Sequence, residues 1–464
     1  MMPITNDLLP HADKRVFDCA DEIRARFSAA MSDMYRREVP QYGTLMSLVA
    51  EVNEAVMTRD GSGAVHRRVG VERHGAIRVG TARELHTLRK LFAVMGMQPV
   101  GYYDLSVAGV PVHSTAFRPV GAEALARNPF RIFTSLLRPE FIADAQLRAT
   151  AQEILARREI FTQRALELIQ LHEEEGGLTV DQANDFVAEV IETFRWHREA
   201  SVSREIYQRL HEAHRLVADV VCFKGPHINH LTPRTLDIDT VQAQMSLRGI
   251  TPKDVIEGPP RRRVPILLRQ TSFRALEENV TFEGENPAQA GMHTARFGEI
   301  EQRGIALTRK GRTLYDALLA RVRDSHSADS TAADYATRLE FTFRDFPDEL
   351  ETIRREGLGF FRYTLAVQGE VANELPTDLE ALVGAGLVHA TPITYEDFLP
   401  VSAAGIFQSN LGGTEQKSYA ANAAQDEFEA GLGAAVLDEI ALYEAEQAAS
   451  IAAVMARLKQ RIPA

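Results

Sequence analysis

The sequence predicts an α+β protein in which a β-α-β-β-β unit occurs twice, with a helical insert between the copies and a mainly helical region after the second. Three observations carry this. Short apolar runs punctuated by Gly and Pro surround one capped amphipathic helix in 65–139, and the same rhythm returns in 221–305. Residues 140–220 switch to a helical period, and that period dominates again from 306 onward. A chain of 464 residues exceeds one hydrophobic core, and 45% hydrophobic residues suffices to pack several.

Residues 1–64 hold two helices. Apolar residues recur at helical spacing from Phe17 to Arg37, EVPQYG interrupts, and the period resumes from Leu45 to Met57 before the turn RDGSG. The first copy opens on RHGAIRVG as a strand and continues through TARELHTLRKLFAVMGM as a helix. It closes on strand-like QPVGYYDL, VPVHSTAFRPV and FRIFTSLL. In the insert, AQEILARREIFTQRALELIQLHEEEGG and the segment through FVAEVIETFRWHREA read as long helices laced with i,i+4 charge pairs. The second copy runs from extended VVCFKGPHINHLTPRTL into a short helix capped by Asp237 or Asp239. Extended RRVPILLRQTSFRAL, ENVTF and TARFGEIEQRGIAL complete it. Helices then follow in RKGRTLYDALLARVRDS, YATRLEFTFRDF, PDELETIRREGLGFFRYTL and one long final segment from DEFEAGLG. Between them TYEDFLPVSAAGIFQSNLGG lacks helical period and reads as an ordered loop, near 395–412, suited to a lid.

Composition removes several function classes. The net charge of −12 is spread without a long single-sign block, which argues against a nucleic-acid partner; the short RRR at 261–263 reads as a solvated turn. Cys19 and Cys222 are too few for a disulfide framework and lack C-x-x-C spacing. The start has no signal-peptide pattern, and no apolar run approaches the roughly 18 residues of a membrane span, so a cytoplasmic location is expected. Nucleophile-elbow, P-loop, dinucleotide and H-E-x-x-H signatures are missing. Oligomeric state is not legible in the sequence.

Two matched stretches hold the candidate chemistry. HGAIR and HLTPR each open a copy, and each spaces a His and an Arg at i and i+4. Alternation along a strand puts His74, Ala76 and Arg78 on one face, and His230, Thr232 and Arg234 likewise; Pro233 marks the second strand as an edge or a broken one. A neighbouring Arg disfavours imidazolium and so favours a metal-binding neutral ring. Burying such cations requires an anion nearby. RFGEIEQRG supplies Glu299 and Glu301 on one face with Phe297 and Arg303. Two His and one carboxylate hold Fe(II) on one side and leave open positions, and zinc accepts the same three ligands. His113, which shares a face with Thr115 and Phe117, is a rival ligand. His227 points away from His230 and reads as a packing or supporting residue, and His293 is placed at the rim. Any lone histidine also has the plainer role of a hydrogen-bonded core residue.

ERHGAIRVGT, GVPVHSTAFR, FKGPHINHLTPRTLDID, ILLRQTSF, HTARFGEIEQRG and YEDFLPVSAAGIFQSNL together resemble the 2-oxoadipate dioxygenase/decarboxylase family of the vicinal oxygen chelate superfamily. The resemblance runs over nearly the whole chain. It implies duplicated half-barrels cupping an iron ion held by His74, His230 and Glu299, with substrate contacts from His74, His230, Arg78, Val401 and Ser402. It further implies Fe(II)- and O2-dependent conversion of 2-oxoadipate, a small 2-oxo dicarboxylic acid, to 2-hydroxyglutarate and CO2 in lysine breakdown. Two alternatives stand beside it. A glyoxalase-like isomerase or lyase would use another metal and no oxygen, and a non-catalytic member would bind the ligand without turning it over.

Overall fold

A computed structural model describes residues 17–61, 68–286, 290–324, 331–366, 378–399 and 423–460. Two helices open it, α1 (Ala20–Glu38) and α2 (Pro40–Asp60). The expected interruption between them shrinks to Val39, because Pro40 sits in the first helical turn, where its missing N–H costs nothing. Tyr35, Tyr42, Leu45 and Leu48 are buried and belong to the same apolar cluster as Ile77 and Val79.

The first β-α-β-β-β order is present as β1 (Arg73–Val79), α3 (Ala82–Val94), β2 (Met97–Asp104), β3 (Val112–Pro119) and β4 (Arg131–Leu137), with a short helix α4 (Ala122–Arg127) before β4. Thr81 and Glu84 form a reciprocal capping box that starts α3 directly after β1. Arg158 closes on the same Glu84 with bonds of 2.8 and 2.9 Å, pinning the insert to the first copy.

The insert is five helices where two long ones were expected: α5 (Ala145–Arg157), α6 (Gln163–Glu175), α7 (Val180–Phe194), α8 (Arg204–Ala213) and α9 (Arg215–Val221). Thr162 caps a new helix inside a segment whose apolar period looked continuous, and Thr179 and Ser203 cap the two helices that follow.

The second copy repeats the order with β5 (His230–Pro233), α10 (Ile238–Met245), β6 (Leu268–Ser272), β7 (Leu276–Val280) and β8 (Gly291–Arg303). Asp237 is the cap of α10. The eight strands form one sheet in the order β2-β3-β4-β1-β5-β8-β6, with β7 on the other end of the long β8. β1 pairs parallel with β4 and β5 parallel with β8, and the antiparallel β1/β5 pair is the seam between copies. β5 is therefore short and central; Pro233 ends it without placing it at an edge.

After β8 come α11 (Arg309–Asp324), α12 (Ala332–Thr342) and α13 (Leu350–Arg355). A two-stranded sheet of β9 (Phe361–Leu365) and β10 (Val388–Pro392) brackets α14 (Leu379–Gly384), and α15 (Ala423–Leu432) and α16 (Glu439–Lys459) close the chain. This corrects two expected helices. Gly357, at φ 64°, stops α13 so that FRYTL turns into a strand, and Gly433, at φ 74°, splits the final segment before Asp438 caps α16. The RRR turn is also corrected: Arg262 is turned inward and donates to the carbonyls of Phe343, Phe346 and Pro347. No described helix is long and apolar enough to cross a membrane.

Candidate metal centre

Three adjacent strands each deliver one donor to the same face of the sheet. Across the seam His74 stands opposite Thr232, and His230 stands opposite Ala76, so both imidazoles project on one side. β8 runs beside β5 with Phe297 next to His230 and Gly298 next to Leu231, which brings Glu299 level with the pair. Donor atoms of His74, His230 and Glu299 all lie within 4.8 Å of one another, and the three side chains are buried. Glycines beside two of them allow this approach. A Cβ at Gly75 would meet Ile228 Cδ1 at 2.5 Å, and one at Gly298 would meet Phe273 Cε1 at 2.3 Å.

The residues fit a bound divalent metal. His74 Nε2 lies 3.2 Å from Glu299 Oε1, close to the roughly 3 Å separation of two donors bound at a right angle about 2.1 Å from one ion. Both ring nitrogens of His230 and Oε2 of Glu299 have no hydrogen-bond partner among the described residues. Leaving such groups buried and unpartnered is costly, and a cation removes that cost.

Outer contacts orient the donors. Glu299 Oε1 accepts from Gln270 Nε2 at 2.6 Å and from Thr232 Oγ1 at 3.4 Å. His74 Nδ1 lies 3.0 Å from Glu301 Oε2, and Arg303 grips both oxygens of Glu301 at 2.8 and 2.7 Å. This carboxylate behind the ring turns Nε2 toward Glu299. Arg303 also donates to the carbonyls of Tyr395 and Asp397, and Phe398 then meets the His74 ring edge-on at 4.9 Å. Further out, Glu72 accepts from Arg131 and Arg234, each at 2.8 Å, while Glu396 accepts from Arg68 and Arg131.

Burial and neighbouring charge divide the two imidazoles. Burial, then His74 and Arg78, push the His230 pKa well below its ordinary value, so that ring is neutral as anticipated. For His74 the anticipated depression fails: burial opposes protonation, but Glu301 and Glu299 outweigh it and raise the pKa. Burial raises the pKa of Glu299, with His74 opposing. Glu301 goes the other way, because Arg303, His74 and Arg131 overcome its burial and keep it ionised.

Arg78 follows on the His74 face, half-buried, with Nη1 2.8 Å from Asp219 Oδ2; this is the anion that its burial demanded. His227 and His293 reach the other oxygen of Asp219 at 3.3 and 3.0 Å, so both stand behind Arg78 and neither belongs to the three-donor cluster. His113 packs against Phe428 and Tyr102 and is likewise outside it. Val401 and Ser402 lie outside the described residues. Gln270 and Asp219 were not among the expected site residues, and Arg303, expected on the Glu299 face, serves there as the partner of Glu301. Asp219 did leave a signal, a lone carboxylate inside the apolar run VADVVCF.

Fold and site define a class: an α+β protein whose central strands present a candidate centre of two histidines and one carboxylate. Residues 27–410 match the family described as 2-oxoadipate dioxygenase/decarboxylase. Curated relatives of that name include one from Pseudomonas putida, 57% identical with 94% of this chain and 97% of the relative covered. One from Escherichia coli K12 is 58% identical, covering 92% and 97%, and one from Mycobacterium bovis is 42% identical, covering 91% and 96%. The crystal structure of the Pseudomonas putida hydroxyglutarate synthase in complex with 2-oxoadipate is similar at TM-score 0.88 and 55% identity, over 96% of this chain and 99% of that one. The chain belongs to the 2-oxoadipate dioxygenase/decarboxylase family and is an enzyme.

Proposed function

We propose that the protein converts 2-oxoadipate and O2 to 2-hydroxyglutarate and CO2 at a ferrous ion held by His74, His230 and Glu299, as a step of lysine breakdown in the cytoplasm. The overall reaction balances without an external reductant, since loss of CO2 and hydroxylation of the shortened chain together supply the four electrons that O2 takes. The observation that carries this reading is the convergence of those three buried donors on one face, with Arg78 further along the same strand face.

Bound there, Fe(II) would be chelated by the 2-oxo acid and would supply the redox chemistry with oxygen. The chain supplies the rest. Arg78 offers a planar fork to a substrate carboxylate, which suits a dicarboxylic acid. Glu301 holds the orientation of His74, and Gln270 holds Glu299. Phe398 and Phe297 wall the imidazoles from water at 4.9 and 4.8 Å. Val401 and Ser402 complete the substrate contacts in this reading, and the two copies act as half-barrels closing on the centre from either side.

The test is reconstitution with Fe(II) without oxygen, followed by addition of 2-oxoadipate and O2. Equal amounts of O2 consumed, CO2 released and 2-hydroxyglutarate formed are expected, with a chelator abolishing all three. An Fe(II)-loaded protein that consumes no oxygen in the presence of 2-oxoadipate refutes the reading.

A further inference from the structure

We propose that Asp219 is a positioning residue for Arg78, and that delivering this carboxylate is a functional role of the helical insert. The inference rests on the reading of Arg78 as the substrate-carboxylate arginine and goes beyond it.

Asp219 sits on α9, the last helix of the insert, and is buried. Four donors from separate parts of the fold converge on it. Oδ2 accepts from Arg78 Nη1 at 2.8 Å and from Asn229 Nδ2 at 3.4 Å. Oδ1 lies 3.0 Å from His293 Nε2 and 3.3 Å from His227 Nε2. His293 in turn meets the hydroxyl of Tyr207, on α8, at 2.9 Å through Nδ1. Strands β1 and β8, the segment before β5, and two insert helices are thus tied to one carboxylate.

Such a site is built to hold an anion still. Both imidazoles present Nε2 to the same oxygen, so in their neutral forms each donates Nε2–H, and Tyr207 donates to His293 Nδ1. Trp196 encloses the histidines, its ring 4.6 Å from His227 edge-on and 6.1 Å from His293 in a stack. A carboxylate fixed from three other directions removes rotational freedom from the guanidinium it binds. Arginine reads a carboxylate by the direction of its planar fork, so the loss of that restraint weakens substrate binding more than it changes the chemistry.

The experiment is a double-mutant cycle on Arg78→Ala and Asp219→Asn, with KM and kcat for the Fe(II) enzyme and calorimetric binding of 2-oxoadipate to Fe(II)-loaded protein without oxygen. Asp219→Asn is expected to raise KM and the dissociation constant about 10-fold or more with kcat within about threefold, and to add nothing in the Arg78→Ala background. Iron affinity is expected to stay within twofold of the wild type. Tyr207→Phe, which keeps the ring and removes only the bond to His293, provides a gentler variant, expected to raise KM about two- to fivefold. Wild-type binding in both Asp219→Asn and Tyr207→Phe overturns the proposal, as does an Asp219 effect that persists in full when Arg78 is alanine. Wild-type kinetics in Arg78→Ala would instead refute the substrate-arginine reading beneath it.

Discussion

Replacing Glu301 with glutamine separates a metal ligand from the carboxylate that supports one. Glu301 is buried, touches His74 Nδ1 at 3.0 Å and takes both arms of Arg303, whereas Glu299 faces Nε2. Loss of an outer carboxylate of this kind costs about 10–100-fold in metal affinity, or about 1.4–2.7 kcal/mol. Breaking a buried ion pair from one side costs about 3–5 kcal/mol of stability. Arg303 keeps the carbonyls of Tyr395 and Asp397, so the lower end is expected, about 3 kcal/mol. Iron(II) titration without oxygen against a competing chelator gives the first quantity, and urea unfolding of metal-free protein gives the second. Glu299→Gln is expected to lose metal by more than about 1000-fold while leaving Arg303 paired. The reverse pattern, Glu301→Gln unable to bind iron and Glu299→Gln binding it well, refutes the assignment of the two carboxylates.

Replacing His230 with leucine removes two buried nitrogens that lack hydrogen-bond partners among the described residues. Urea unfolding in excess chelator is expected to find His230→Leu more stable than the metal-free wild type by about 1–3 kcal/mol; a less stable variant would mean that the imidazole is satisfied without metal. Acid stability offers a second check. Burial and Arg138 push the His113 pKa down to about 4, below its ordinary value of 6.5. The unfolded chain therefore takes up this proton first, and stability present above pH 6.5 is lost as the pH falls toward 4, by about 3 kcal/mol. His113→Leu is expected to flatten unfolding free energy over that window, and an unchanged slope would refute it. The buried carboxylates act lower down. Glu72 and Asp219 are depressed despite burial, Glu72 by Arg234, Arg68 and Arg131, and Asp219 by His227, His293 and Arg78. Their stability is present above the unfolded carboxylate value, near pH 4, and is lost as the pH falls from there.

Local sequence carried much of this architecture, and long-range register carried the rest. The i, i+4 pairing of His74 with Arg78 survives into the structure because it needs only the alternation of a strand. The meeting of His74 with His230 needs the β1/β5 seam, which pairs residues some 150 positions apart and leaves no mark on either segment. Glu299 and Glu301 share a face, so alternation alone could not rank them; the ranking comes from which nitrogen of His74 each one faces. Helix boundaries failed where a single Gly or Thr decided the matter, as at Gly357, Gly433 and Thr162. Arg262 was misread because a charged run looks solvated until the carbonyls of another segment arrive beside it.

Charge balance around the centre ties metal to substrate. Arg68, Arg131, Arg234 and Arg303 pair with Glu72, Glu301 and Glu396, and Arg78 pairs with Asp219, while Glu299 lies against His74. With both imidazoles neutral, a state that the raised pKa of His74 defers to higher pH or to metal binding, these five arginines and five carboxylates balance. A divalent cation alone leaves two positive charges in a buried site, and a dicarboxylate alone leaves two negative ones; together they restore neutrality. Metal and 2-oxoadipate are accordingly expected to bind with positive coupling, which is reciprocal by linkage. Calorimetry without oxygen is expected to show 2-oxoadipate binding at least about 10-fold more weakly to metal-free protein, and iron binding more tightly by the same factor when 2-oxoadipate is present. A monocarboxylic 2-oxo acid of equal length leaves one charge uncompensated and is expected to show the smaller coupling. Equal affinity of 2-oxoadipate for loaded and metal-free protein would remove the electrostatic link and leave Arg78 as the sole source of selectivity for the second carboxylate.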